Sequence, residues 1–309
     1  MLKYEKIKKS PRQFLALTSL KVEEFDNLCD EFHSDWWKYY RYNTLRGKPR
    51  KYPITYESSD SPLPTTEDKL FFLLIMLKNN PLIEYQAASF NMSSGKVSEW
   101  FNVLSKTLRQ TLNRLGLLPC REAGGVSEAL KKLGAKKVTL DGTERTIQRS
   151  VDYGVQQDYY SGKKKDHTVK NNLLATDNQQ IVYLSDTYEG KKHDKAICDE
   201  EVVSYPDGIV LRQDSGYIGH KPDNVTIIEP VKKTKSKDLT EEQKNTNKDK
   251  AKWRVIVEHA ISGIKRCRMV KDTLRSIHFM IRDSIMEICC GLHNLRVKSY
   301  SRAYARVRV

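Results

Sequence analysis

Apolar and polar positions change period once along this chain of 309 residues. Up to about residue 112 the spacing is helical. Phe25, Leu28, Cys29 and Phe32 share one helix face, with Ser19 ahead of Val22-Glu23 as the expected N-cap. Thr65-Thr66-Glu67-Asp68 is a capping-box pattern that opens a helix through Leu70, Phe71, Leu74, Ile75 and Leu77, and Pro81 breaks it. A further helix runs from Ile83 to Phe90. After the turn Asn91-Met92-Ser93, with Ser94 as expected N-cap, another carries Val97, Trp100, Phe101, Leu104 and Leu108. Two helices across a short turn, after an initial helix, form the helix-turn-helix pattern, which many helical bundles share. It would expose Ser94, Lys96, Ser98 and Asn102 near the start of a recognition helix.

Past a linker at Gly116 to Gly125, short apolar runs bounded by turn residues replace the helical spacing. They predict strands at 137–141, 168–175, 181–184, 209–213 and 225–228, with a helix at 190–200. A last helix, from Trp253 to Lys265, puts Val257, Ile261 and Ile264 on one face at i, i+4 and i+7. The order three strands, helix, strand, strand, helix is an α/β arrangement. The charge-dense stretch 232–252 is expected to be a solvated loop or a DNA-contacting arm. No internal repeat is present.

Composition sharpens this picture. Lys and Arg number 54 against 39 Asp and Glu, a formal charge of +15, which favours a polyanionic partner, most simply nucleic acid. The aromatic cluster Trp36, Trp37, Tyr39 and Tyr40 reads as core rather than as a base-stacking platform. Arg46-Gly47-Lys48-Pro49-Arg50 reads as an extended basic linker. Arg46, Lys48 and Arg50 would either enter an A·T minor groove or simply be solvated. No apolar run approaches the roughly 20 residues of a membrane span, and the first residues lack a signal-peptide core. The six cysteines show no metal-ligand spacing. The expectation is a reduced, intracellular protein, cytoplasmic and nucleoid-associated.

The candidate chemistry lies in three places. Val138-Thr139-Leu140-Asp141-Gly142 and Ile209-Val210-Leu211-Arg212-Gln213-Asp214-Ser215-Gly216 are apolar runs that each end on an aspartate. The last helix carries Arg254, Glu258 and Lys265 on one face. Two strand ends that deliver aspartates and a helix that delivers a glutamate make a three-carboxylate constellation. Hard divalent cations want such oxygen ligands, and a pair of them can stabilise both oxygens of an in-line phosphoryl displacement. The plainer reading of Arg254 and Glu258 is a surface ion pair.

At these residues the chain resembles DDE transposases of the insertion-sequence-five type, close to the Harbinger-like endonucleases. Asp141-Gly142-Thr143-Glu144 is similar to the first catalytic motif, and Asp214-Ser215-Gly216-Tyr217 with Gly219 to the second. Arg254, Glu258 and Lys265 match three parts of the Tyr-Arg-Glu-Lys signature. Tyr160-Ser161-Gly162-Lys163-Lys164, His167-Thr168-Val169-Lys170 and Gly190 with His193-Asp194 match further family signatures. The signature tyrosine is replaced by Ala251, and Ser215 stands where lysine or arginine is usual. The resemblance implies an RNase H-like mixed sheet flanked by helices and preceded by an all-α helix-turn-helix domain. Its parts would be a helical lead-in and basic linker (1–51), the DNA-binding domain (52–118) and the catalytic domain (119–309) with its basic loop (232–252). It implies Asp141 bridging two Mg²⁺ ions (Mn²⁺ as substitute), with Asp214 and Glu258 as the other ligands. Arg254 and Lys265 would hold phosphates at the cleaved end, and Lys163, Lys164 and Lys165 would track the DNA backbone. Glu144 is not expected to be a ligand, and His193 is expected to be structural. The implied partners are double-stranded DNA, both transposon ends and target, and a second copy of the chain in the DNA complex. The implied activity is metal-dependent cleavage and strand transfer. A DNA-binding protein without catalysis and an endonuclease without strand transfer remain the alternatives.

Overall fold

The structure is a computed structural model that describes residues 1–231, 240–275 and 279–307. The chain divides into two compact units. The first contains Met1–Leu117, Lys265–Asp272 and Ser284–Val309, and the second contains Leu118–Ile264 and Thr273–Asp283.

The first unit is helical. Its N-terminal part comprises α1 (Tyr4–Ile7), α2 (Pro11–Thr18), α3 (Val22–Tyr40), α4 (Thr66–Asn79), α5 (Ile83–Phe90) and α6 (Ser94–Arg114). Thr65 caps α4 by accepting from the Asp68 N–H at 3.1 Å, as its capping pattern predicts. The cap of α6 is Ser93 rather than Ser94, because the Ser93 hydroxyl accepts from the Lys96 N–H. Ser19 is not a helix start either. It ends α2 in the left-handed region, and the Lys21 N–H is taken by the Glu24 side chain one turn into α3. Almost every residue of α4 is buried, so it forms the axis of this unit. Trp36 is fully buried and stacks on Tyr40, which bears out its reading as core. Asp35, also buried, accepts from Thr111 at 2.9 Å and Arg114 at 3.0 Å, which ties α3 to α6.

The basic linker is not extended. Asn43 and Pro49 form an antiparallel bridge, the Thr44 N–H donates to Lys48 O, and Gly47 turns the chain with a φ of +75°. Glycine adopts that angle without the Cβ clash other residues meet, so the backbone closes on itself despite the proline.

The second unit is a mixed α/β layer structure, the RNase H-like sheet the sequence implies. Its elements are α7 (Val126–Leu133), β1 (Lys137–Thr146), α8 (Tyr153–Tyr159), β2 (Tyr160–Ser161), β3 (Asp166–Thr176), β4 (Ile181–Leu184), β5 (Tyr188–Glu189), α9 (Asp194–Glu201), β6 (Ile209–Gln213), β7 (Val225–Ile228) and α10 (Glu241–Ile264). The sheet order is β2-β3-β1-β6-β7. β1 runs antiparallel to β3 and parallel to β6, which runs parallel to β7. The outer edge of β3 is tiled in sections by β2, β5 and β4, so no long unpaired edge is left there. Val138, Leu140, Leu174, Ile209 and Leu211 pack into one core beneath the sheet with Val126 and Leu130 of α7. Each such side chain contributes about 1.5–3 kcal/mol by leaving water.

The last helices are α11 (Arg268–Lys271), which packs on α4 in the helical unit, and α12 (Phe279–Val307). Buried Glu287 on α12 accepts from Arg109 of α6.

From Glu241 onward the stretch 232–252 is helix rather than loop. Residues 232–239 lie outside the described residues. Thr240 accepts from the Gln243 N–H and Gln243 accepts from the Thr240 N–H, a reciprocal cap. Glu241 and Glu242 then favour the positive helix N-terminus. No helix among the described residues is long and apolar enough to cross a membrane.

Candidate active site

The sheet register places the two aspartates. Leu140 of β1 pairs with Gln213 of β6 in parallel. Asp141 and Asp214 are therefore the next residues on two neighbouring parallel strands, which lie about 4.8 Å apart. Each carboxylate accepts from the N–H of the following residue, Gly142 at 2.8 Å and Ser215 at 2.6 Å.

Helix α10 packs across β1 and β3. Trp253, Val257, Ala260 and Ile264 face the core, which leaves Arg254 and Glu258 exposed on the other side. The Arg254 guanidinium lies 3.4 Å from Asp214 Oδ2 and 4.0 Å from Glu258 Oε1. It stands between a strand-end carboxylate and the helix carboxylate.

Burial pushes the Asp141 carboxyl up to about 6, and the nearby negative charges of Asp214 and Asp194 add to that. The Gly142 N–H and Arg254 oppose the shift. Oxygen-only donors around a carboxylate destabilised in this way suit a hard divalent cation. Among the described residues, no three carboxylate, histidine or cysteine side chains stand close enough together to enclose one ion. The donor chemistry fits such a cation, while the carboxylates stand apart with Arg254 between two of them.

Three further side chains shape this site: Asp194 and Tyr217 stand in the matched family signatures without an assigned role, and Asn172 has no signal in the sequence. Asp194 starts α9, and its carboxylate lies 3.2 Å from where a Cβ on Gly142 would stand. Tyr217 is the second. Its N–H donates to Asp214 O, and its hydroxyl donates to Asn172 Oδ1 at 3.0 Å. Asn172, on β3 directly opposite Gly142, is the third; it also donates to Asp194 O at 2.8 Å. A bulkier residue at 142 would strike both Asp194 and the Tyr217 hydroxyl, which is the physical content of the Asp-Gly pattern in the sequence. Nearby, Lys170 is buried. Its ammonium donates to Lys192 O and lies 3.2 Å from Asp194 and 3.7 Å from Glu144. Thr168 donates to the other oxygen of Glu144, so Glu144 belongs to this internal network.

Residues 140–294, half of the chain, match the family model described as DDE superfamily endonuclease. The chain belongs to the DDE superfamily endonucleases. The chain is also 27% identical over 173 residues to the probable transposase for insertion sequence element IS702 of Microchaete diplosiphon. That match covers 55% of this chain and 61% of the relative, so the chain spans under two thirds of the relative's length. No solved structure matches the chain.

The remaining candidate residues fall elsewhere in the chain. Lys163, Lys164 and Lys165 are exposed at the tip of the β2–β3 hairpin. Lys265 follows the last residue of α10 and belongs to the helical unit. In that same unit Lys96, Ser98 and Asn102 are exposed along the first half of α6, whereas the Ser94 hydroxyl donates to Glu84 at 2.6 Å. Arg46 and Lys96 share Glu99, at 2.8 Å and 2.7 Å, and hold its carboxyl below the usual range. Arg50 donates to Tyr40 O and Asn43 O and lies over the Tyr40 ring, so it staples the linker turn. Lys48 is exposed on that turn.

Proposed function

We propose that this chain is a DNA transposase of the insertion-sequence-five type, which cuts DNA at the ends of a mobile element and joins the freed ends to a target. The supporting observation is that Asp141, midway along β1, and Asp214, just past the end of β6, follow directly on the paired Leu140 and Gln213 of neighbouring parallel strands, with Arg254 linking Asp214 to Glu258 on the helix packed above. Asp141, Asp214 and Glu258 would hold two divalent cations, Mg²⁺ or Mn²⁺. When bound, the cations polarise water and the scissile phosphate and offset charge on the leaving oxygen.

The chain's own groups supply the rest. Arg254 is 44% exposed at its side chain, so it can turn from Asp214 and Glu258 toward a phosphate and grip it with two N–H groups. By the family resemblance Lys265 is a second phosphate-holding cation. In the first step a water oxygen bonds to phosphorus and the 3′-oxygen leaves, taking a proton. In the second the freed 3′-hydroxyl oxygen bonds to a target phosphorus and loses its proton, while the target strand's own 3′-oxygen leaves that phosphorus and takes a proton. Helix α6 and the linker lysine supply sequence-independent and end-specific contacts to double-stranded DNA, with a second copy of the chain bringing the other end. A net charge of +15 agrees with such a partner in the nucleoid.

The test is nicking of a supercoiled plasmid carrying the element's ends, in Mg²⁺, Mn²⁺ or EDTA, by the wild type and by Asp141→Ala. Metal-dependent nicks at the ends that vanish in the variant are expected. Random nicks would leave a general endonuclease. End-specific binding with no cleavage in any condition would leave a DNA-binding protein without catalysis.

A further inference from the structure

An open groove of about 520 Å³ lies away from the three carboxylates, on the hairpin side of the mixed unit. That volume falls within the roughly 300–1,000 Å³ of ligand-sized pockets. Its walls combine aromatic rings with cations. Tyr153, Tyr160 and His167 supply the rings, and Arg149 and Lys191 the charge. Tyr160 and His167 pair across β2 and β3, with their rings edge to face at 5.6 Å. Tyr153 is 72% exposed, and the helix that begins with it, α8, buries none of its residues. Val151 and Val155 beside it are exposed too. This apolar surface takes no part in the core, which marks it for a partner.

Charge indicates which partner. No carboxylate lines the groove. Lys191 has only a loose pairing with Asp158 at 3.9 Å, both side chains being 65% exposed. The hairpin that carries Tyr160 and His167 turns through Lys163, Lys164 and Lys165. The turn is closed by Lys165 N–H to Ser161 O at 2.7 Å. Among the described residues none of these three lysines pairs with a carboxylate. Exposed rings to stack on, beside cations in a row, are the elements of a single-strand nucleic-acid site. Gln157 is exposed at the groove and offers an amide donor and acceptor for a base edge.

We propose that this groove binds an unpaired stretch of a DNA strand. One base stacks on Tyr153 and Tyr160, and the adjoining phosphates lie on Arg149, Lys191 and the lysine turn. The choice of DNA over RNA rests on the DNA cleavage proposed above, whereas stacking and charge do not.

The test is fluorescence anisotropy of labelled 12-mer single strands with the full chain in EDTA, where cleavage plays no part. Tyr153→Ala should weaken strand binding about tenfold and leave duplex binding unchanged, while Tyr153→Phe retains wild-type affinity. A strand with abasic sites should bind the wild type about as weakly as an intact strand binds Tyr153→Ala. Lys191→Ala should lower the slope of log affinity against log salt by about 0.7. The proposal fails if Tyr153→Ala binds normally, or if abasic and intact strands bind alike. It also fails if deoxynucleoside monophosphate competes at the strand's own concentration, which would indicate a free-nucleotide site, or if an RNA strand binds more tightly. Unchanged strand affinity with altered sedimentation of Tyr153→Ala would assign the patch to a second copy of the chain. Retained strand binding in a protein that never cuts DNA would overturn the cleavage reading and leave the groove standing.

Discussion

Tyr217→Phe removes one oxygen from the device that spaces the two aspartates. The hydroxyl donates to Asn172 Oδ1, and both residues are 1% exposed. Burial, with Asp194 as the largest nearby charge, holds the phenol well above its ordinary value, so it stays a donor at any working pH. Phenylalanine fits the same space and leaves Asn172 Oδ1 buried without its donor, at a cost of about 1–3 kcal/mol. The turn after Asp214 then loses its tie to the β3 position opposite Gly142. A misplacement on the order of 1 Å near reacting atoms costs about 100-fold in rate. Nicking should therefore fall at least tenfold, well beyond what the stability loss alone would cause in a protein that remains folded. The loss is local, and an unfolding midpoint of the whole chain reports it only in part. The readout is therefore amide hydrogen exchange in peptides covering 138–146 and 209–217, where protection should drop by about one to two powers of ten. A cycle with Asn172→Leu should show coupling of roughly 1 kcal/mol or more. Unchanged exchange in both peptides together with nicking within a factor of about two of wild type would refute the argument.

Other perturbations test other parts. Gly190→Ala would drive a Cβ into the Thr168 hydroxyl and to 2.7 Å from the backbone oxygens of Thr168 and Tyr159; we expect about 3 kcal/mol of destabilisation in thermal unfolding, and an unchanged midpoint would show that this crossing can relax. Saturating Mg²⁺ or Mn²⁺ should raise the melting temperature of the wild type, by about 2.7 kcal/mol at 100 times the dissociation constant, and an equal rise in Asp141→Asn would remove Asp141 from the ligand set. Burial lowers the His220 pKa, so the folded state holds this ring neutral. Its contribution is full above the unfolded value of about 6.5 and is lost as pH falls from there through the lower folded value; His220→Gln should flatten the urea-midpoint profile below about pH 6.5, and a parallel profile would contradict this. Arg254→Ala should change stability by less than about 1 kcal/mol, since its pairs are exposed, yet abolish most nicking; a variant that nicks normally would show that Arg254 serves only as a countercharge.

The sequence carries the site's backbone plainly because strand ends and helix faces have periods. Asp141 and Asp214 each close an apolar run, and Val257 with Ile264 fixes which face of α10 turns outward. No period marks Tyr217, Asn172 or Asp194, although Tyr217 and Asp194 stand in the matched family signatures. They meet only because β3 brings Asn172 opposite Gly142 and α9 starts above it, a coincidence of register rather than of spacing. Lys170 is equally hidden: a lysine in a strand reads as solvent-facing, yet this one is buried against Glu144, Asp194 and a backbone oxygen. Helix α8 was silent for the opposite reason. None of its residues is buried, so no apolar period marks it. The first turns of α10 were hidden by their charge, since a polar helix face and a solvated loop look alike until the Thr240 and Gln243 cap is seen.

Charge explains why the aspartates need so much support. Two carboxylates on neighbouring strands, with Asp194 beside them, repel one another, and burial of Asp141 makes the repulsion stronger. The fold opposes that repulsion with backbone N–H groups at Gly142 and Ser215, with Lys170 on Asp194, and with Arg254 on Asp214. Of these, the N–H groups and Lys170 are fixed by the sheet, whereas Arg254 is on the exposed face of a helix and is held by weak pairs. On the proposed function, a site that accepts cations and phosphate needs one countercharge that can leave at low cost, and Arg254, with its exposed pairs, is the one that can.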